Sequence, residues 1–155
     1  MISKIELSEQ KGFYVTGISL RTTNQNGQSQ IDIVNLWTKF MQENLLQQIE
    51  TRVSDDIYCV YTDYETDHTG FYTAILGCKV NSSGNVFEGF VSIIIQPGNY
   101  QVYYLEGEFP ANVGEAWAQI WNSTVDRKYT ADFDLYSANA KSFEETEVKI
   151  YLALK

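Results

Sequence analysis

Ala131-Asp132-Phe133-Asp134-Leu135-Tyr136-Ser137-Ala138 reads as an inner strand that carries an acid between two large apolar neighbours. In a strand, successive side chains point to opposite faces, so Phe133 and Leu135 share one face while Asp132, Asp134 and Tyr136 share the other. If the first face is core, the second presents the Asp134 carboxylate beside an aromatic ring. An acid held there persists only if it is protonated, hydrogen-bonded or paired with a cation. The alternative is an edge strand whose acids face water, and the rest of the chain has to decide.

Working outward, the final stretch alternates Val148, Ile150, Leu152 and Leu154 against Glu147, Lys149, Tyr151 and Ala153, a second strand. Before the Asp134 strand, Pro110 fits the first turn of a helix with the stripe Val113, Ala116, Trp117, Ile120 and Trp121, closed by Arg127 to Thr130. Two β-rich runs precede it, Phe90 to Ile95 and Tyr100 to Glu106, with a turn at Pro97-Gly98.

The first half repeats this order. Lys4 to Leu7 and Gly12 to Arg21 read as a strand pair or one bent strand. Ser29 is the expected N-cap of a long amphipathic helix with the stripe Ile33, Trp37, Met41, Leu45 and Ile49, which Leu36 and Phe40 fill out. Ile57 to Tyr64 and Phe71 to Val80 form an expected hairpin, followed by a turn over residues 81–85 around Gly84. Strand, helix, strand, strand, then the same again, is an internal duplication of approximately residues 1–85 and 86–155. The fold class is therefore α+β, one domain of duplicated β-α-β-β units: an antiparallel sheet, two helices on one face, and a ligand groove between them.

Composition bounds the function. At 155 residues the chain buries about 70% of its unfolded surface and needs no staples. A net charge of -9 argues against a phosphate-binding surface, so no direct contact with nucleic acid is expected, and small cations or basic proteins are the favoured partners. No apolar stretch has the length of a signal peptide core or of a bilayer span, which points to a cytoplasmic protein without membrane contact. Cys59 and Cys78 then read as small buried hydrophobes, and the sequons at Asn81 and Asn122 as coincidences. Aromatic residues make up 14% of the chain, enough to line a pocket with apolar walls and polar tips.

The run Ile94-Ile95-Gln96-Pro97-Gly98-Asn99-Tyr100-Gln101-Val102-Tyr103-Tyr104-Leu105-Glu106-Gly107, then Ala118-Gln119-Ile120-Trp121, then Asp132-Phe133-Asp134-Leu135-Tyr136, resembles the GyrI-like effector-binding domain. That family includes the ligand-binding half of AraC-type and MerR-type multidrug regulators and stand-alone proteins such as the gyrase inhibitor. The resemblance implies a pocket for amphipathic, usually cationic, compounds with an acid of the penultimate strand as counter-charge. Phe133 and Tyr136 match the family pattern, and Asp134 stands where Glu is usual, one methylene shorter. The regulators carry a helix-turn-helix domain ahead of this one. Here the first strand begins at the start of the chain, so a stand-alone sensor or sequestering protein is the plainer expectation, and a regulatory role is expected to need a DNA-binding or basic protein partner.

The expected ligand site comprises Asp134 as counter-charge and Tyr136, Tyr61, Trp37, Phe40 and Tyr151 as wall. Trp117 and Trp121 are assigned to core. Enzyme chemistry is not expected. His68 is a lone loop histidine, there is no phosphate loop, nucleophile elbow or metal-binding pair, and hence no metal or cofactor is called for. A small-molecule hydrolase needs a second carboxylate near Asp134, and the sequence does not single one out. A third class is a protein-interaction module presenting Asp55, Asp56, Asp63, Glu65 and Asp67 to a basic partner.

Overall fold

The computed structural model describes residues 1–82, 87–140 and 142–155. The expected turn at 81–85, the first sequon and the boundary at 85/86 fall wholly or partly outside them.

Among the described residues, eight strands form one antiparallel sheet. They are β1 (Ile2–Gln10), β2 (Phe13–Thr23), β3 (Ile57–Thr62), β4 (Phe71–Val80), β5 (Val91–Ile95), β6 (Gly98–Leu105), β7 (Ala131–Tyr136) and β8 (Val148–Ala153). The helices are α1 (Gln28–Gln42), the short α2 (Leu45–Gln48) and α3 (Ala111–Trp121). In the sheet order β1-β6-β8-β7-β3-β4-β2-β5, each strand mirrors the strand four places away in the chain, and β3 and β7 pair at the centre. The strand carrying Asp134 is thus interior, which removes the edge-strand alternative.

β1 and β2 do not form a hairpin. β1 pairs with β6 and β2 with β4 and β5, so the bent-strand alternative is the observed one. The ladder runs from Gln10↔Gly98 to Phe13↔Ile95 without losing register, so the two bent strands cross the ends of the sheet together. The sheet therefore curls on itself. Phe13 of β2 reaches the rings of Phe133 and Tyr58, 5.6 and 5.7 Å away on strands that are not its neighbours. Val15, Val60, Ile75, Ile95 and Tyr100 complete this inner core.

The helices cover the opposite face. Leu36 and Phe40 of α1 pack on Ile18, Cys59, Leu76 and Tyr136, while Ala116, Trp117 and Ile120 of α3 pack on Tyr103, Ile150 and Leu152. α1 starts at Gly27 in the left-handed region (φ 69), and Ser29 lies buried inside the helix rather than capping it. Asn44 at φ 54 breaks the long helix expected from the stripe, and Met41 is exposed because the four-residue spacing drifts off the buried face. Gly17 and Gly77 oppose each other where β2 and β4 approach most closely, and a Cβ at Gly77 would lie 1.9 Å from the Thr16 carbonyl oxygen.

Candidate functional site

Strand alternation and the register Cys59↔Asp134 and Tyr61↔Asp132 put Cys59, Tyr61, Asp132, Asp134 and Tyr136 on the helix-covered face. Asp134 is fully buried there. Tyr61 donates its hydroxyl to Oδ2 at 2.6 Å, Tyr136 donates to the same oxygen at 2.9 Å, and the Trp117 indole N–H donates to Oδ1 at 2.9 Å. Each donor comes from a different element, namely β3, β7 and α3. Burial pushes the Asp134 carboxyl up to about 6, against the lowering effect of the three donors and helped slightly by Asp132. Three neutral donors do not replace bulk water for a full charge, and no described cation contacts this carboxylate.

Aromatic rings close the space between the helices. Trp37 of α1 meets Tyr136 edge-on at 4.9 Å, and Phe109 lies 5.4 Å from Tyr136 and 6.5 Å from Trp37. Tyr61 meets Trp117 at 5.3 Å, also edge-on. Phe40 is 1% exposed within the same cluster. The structure thus brings Asp134, Tyr136, Tyr61, Trp37 and Phe40 together. Tyr151 is a correction: it opposes Phe133 in the β7–β8 register, stacks on that ring at 4.6 Å, and so lies on the inner face of the sheet, away from Asp134. Being on the neighbouring strand did not suffice, because the pleat sends Ile150 rather than Tyr151 to the Asp134 side.

Two contributions escaped the sequence reading. Trp117, assigned to core, is core by its ring and a hydrogen-bond donor by its nitrogen, a duality that indole chemistry allows but periodicity does not reveal. Asp132, already placed on this face by strand alternation, is the second carboxylate that a hydrolase would need, and what the sequence did not reveal is that a buried cation pairs with it. It is fully buried and bound by Arg127 Nη2 at 2.8 Å, by the Tyr64 hydroxyl at 2.6 Å and by the Ala153 amide at 2.8 Å. The signal was two acids on one face of an inner strand, which requires a buried cation nearby. Burial works against the Arg127 charge, but Asp132 and Tyr64 hold the guanidinium above its ordinary value.

Three of the acidic hairpin residues have hydrogen-bond or ion-pair partners within the chain. Asp55 pairs with Arg52 at 2.8 Å, Asp56 accepts the Ala138 amide, and Asp67 accepts from both the amide and hydroxyl of Thr69. Among the described residues no group of His, Cys, Asp and Glu could hold a metal ion, and no helix is long and apolar enough to cross a membrane.

A curled antiparallel sheet of two like halves, with a buried acid and aromatic rings under two helices, defines an effector-binding domain of the GyrI-like kind. The chain belongs to the Cass2 family, integron-associated effector binding proteins, which it matches over residues 6–154. It is 31% identical to the integron cassette protein VCH_CASS2 from the mobile metagenome of Vibrio cholerae, over 99% of this chain and 97% of that one, with a TM-score of 0.75. YobU of Bacillus subtilis (strain 168), named as a candidate transcriptional regulator, is 30% identical over 90% of each chain. SAV2435, solved bound to tetraphenylphosphonium, shares the fold at a TM-score of 0.80 and 18% identity, covering 98% of this chain and 94% of its own.

Proposed function

We propose that the chain binds amphipathic cations between α1 and α3, without chemical turnover, with Asp134 as the counter-charge and Tyr61, Tyr136, Trp37 and Phe40 as the wall. The observation that carries this reading is a fully buried carboxylate that only neutral donors satisfy. A desolvated anion of that kind binds a lipophilic cation with little further dehydration cost. Aromatic faces around it add cation–π attraction of about 0.5 to 2 kcal/mol per ring. About 300 Å² of apolar ligand surface contributes roughly 7 kcal/mol at 25 cal/mol per Å². Immobilisation and the opening of the aromatic cluster oppose this and leave an affinity on the order of micromolar. The tetraphenylphosphonium complex of SAV2435 supports the ligand class, and the name of YobU supports a regulatory setting.

The test is calorimetric titration with tetraphenylphosphonium and with tetraphenylborate, its anion of matched shape. Selective binding of the cation, weakened about tenfold or more in Asp134→Asn, is the expected result. Equal binding of both ions, or cation binding indifferent to the substitution, removes Asp134 as counter-charge.

A further inference from the structure

Arg127 has capacity to spare. Its side chain is only 4% exposed, yet one nitrogen alone, Nη2, reaches Asp132 and Tyr64. Nε and Nη1, which between them carry three of the five guanidinium N–H groups, are buried without a hydrogen-bond partner among the described residues. Buried N–H groups of an arginine are ordinarily all satisfied, so each exception calls for an acceptor. A third unpaired nitrogen lies in the same electrostatic field: Nδ1 of His68, whose ring stacks on Trp121 at 5.8 Å, is buried and without a hydrogen-bond partner among the described residues, and the Arg127 charge reaches it.

The covering of Arg127 is itself unusual. The ring of Tyr129 lies 4.2 Å above the guanidinium and 5.3 Å from Tyr64, and Tyr129 adopts φ 58, a left-handed backbone that a bulky residue rarely takes. Its neighbours are pinned: the Lys128 amide donates to the Ala153 carbonyl at 2.9 Å, and the Thr130 carbonyl accepts from Thr62 at 2.8 Å. A partly exposed ring is thus held over a cation that has donors left to give.

Trp117 joins this corner to the counter-charge, since its N–H binds Asp134 while its ring lies 5.8 Å from the Arg127 guanidinium carbon. Asp132 and Asp134 are two residues apart on one strand face, about 7 Å. Asp132 already balances the guanidinium charge, and the chain carries a net charge of -9, so the unpaired N–H groups call for an acceptor oxygen rather than a further anion. We propose that Arg127 is a second recognition point of the same pocket, roofed by Tyr129, and that it takes a carbonyl oxygen of the effector. The preferred ligand is then an amphipathic cation that also carries an amide or ester carbonyl on a short flexible arm. This rests on the assignment of Asp134 to the cationic half.

Three probes separate the two assignments: (4-carbamoylbutyl)triphenylphosphonium, its hydrocarbon isostere (5-methylhexyl)triphenylphosphonium, and 6,6,6-triphenylhexanamide, which keeps the amide and loses the charge. Hydrophobicity alone favours the hydrocarbon. The expected result is that wild type binds the carbamoyl cation about tenfold more tightly than its isostere, and that this ratio collapses or inverts in Arg127→Lys. A ratio near one in wild type, or one that survives in Arg127→Lys, overturns the Arg127 assignment while leaving cation binding intact. Arg127-dependent binding of the uncharged amide at the strength of the carbamoyl cation upholds Arg127 and removes the cationic half. Binding of none of the three overturns both. Should Arg127→Lys fail to fold, the wild-type arginine Nε–H resonances decide: the Arg127 signal shifts with the carbamoyl cation and stays in place with the isostere if the assignment holds, and a shift common to both overturns it.

Discussion

Replacing Asp134 by Asn should move the stability difference between the two proteins in favour of the variant as pH rises, by a defined amount. In the folded chain the carboxyl titrates at about 6, raised by burial from an ordinary 3.8. A raised carboxyl favours the folded state fully only below the unfolded value, where the group is protonated in both states, and that contribution is lost as pH rises through about 6. The loss amounts to about 3 kcal/mol, of which about 2 kcal/mol appears between pH 4 and pH 8. Asn cannot ionise and escapes it. Urea unfolding of both proteins across that range should therefore show the stability difference moving in favour of the variant as pH increases. In melting temperature this corresponds to roughly 2 to 4 °C per kcal/mol for a chain of this size. Rearranging the three donors around an amide shifts the whole difference by a constant and leaves its slope untouched. A difference that is flat with pH, or that moves toward wild type, would refute the reading of Asp134 as a strained, destabilising carboxylate. The expected trade of stability for a charged site is a common property of binding and catalytic residues.

Further outcomes follow from the same geometry. Affinity for tetraphenylphosphonium should be constant above pH 6 and weaken about tenfold for each pH unit below it, because only ionised Asp134 attracts the cation; calorimetry at constant ionic strength reads this directly. Trp117→Phe keeps an aromatic ring but removes one donor to Asp134 and leaves a small cavity, so it should cost at least about 1 to 3 kcal/mol and move the midpoint of that pH profile upward. Tyr151→Phe lies on the far side of the sheet and should leave cation affinity within about twofold of wild type by the same calorimetry. Gly77→Ala drives a methyl group into the Thr16 carbonyl and should cost more than about 3 kcal/mol, visible as a lost urea midpoint; an unchanged midpoint would show that β2 and β4 can separate.

Much of this protein was legible in its sequence because the signals concerned are local. Alternation along Ala131 to Tyr136 placed Asp134 and Tyr136 on one face, and the order of strands and helices specified two like halves, since period and punctuation survive without knowledge of neighbours. The α1 stripe showed Leu36 and Phe40 facing the core but overran the break at Asn44, where a left-handed residue ends the helix without a strong sequence mark. What only the tertiary structure decided was register and closure. One residue of register separates Ile150 from Tyr151, and that step alone puts Tyr151 against Phe133 instead of Asp134. The meeting of Trp117, Tyr61 and Tyr136 at one carboxylate joins α3, β3 and β7 across 73 residues, and the Arg127 to Asp132 pair depends on how the segment after α3 returns to β7. A side chain's type and face are set by its own segment, whereas its partners are set by packing of segments far apart in the chain, and the chemistry of this site resides in the partners.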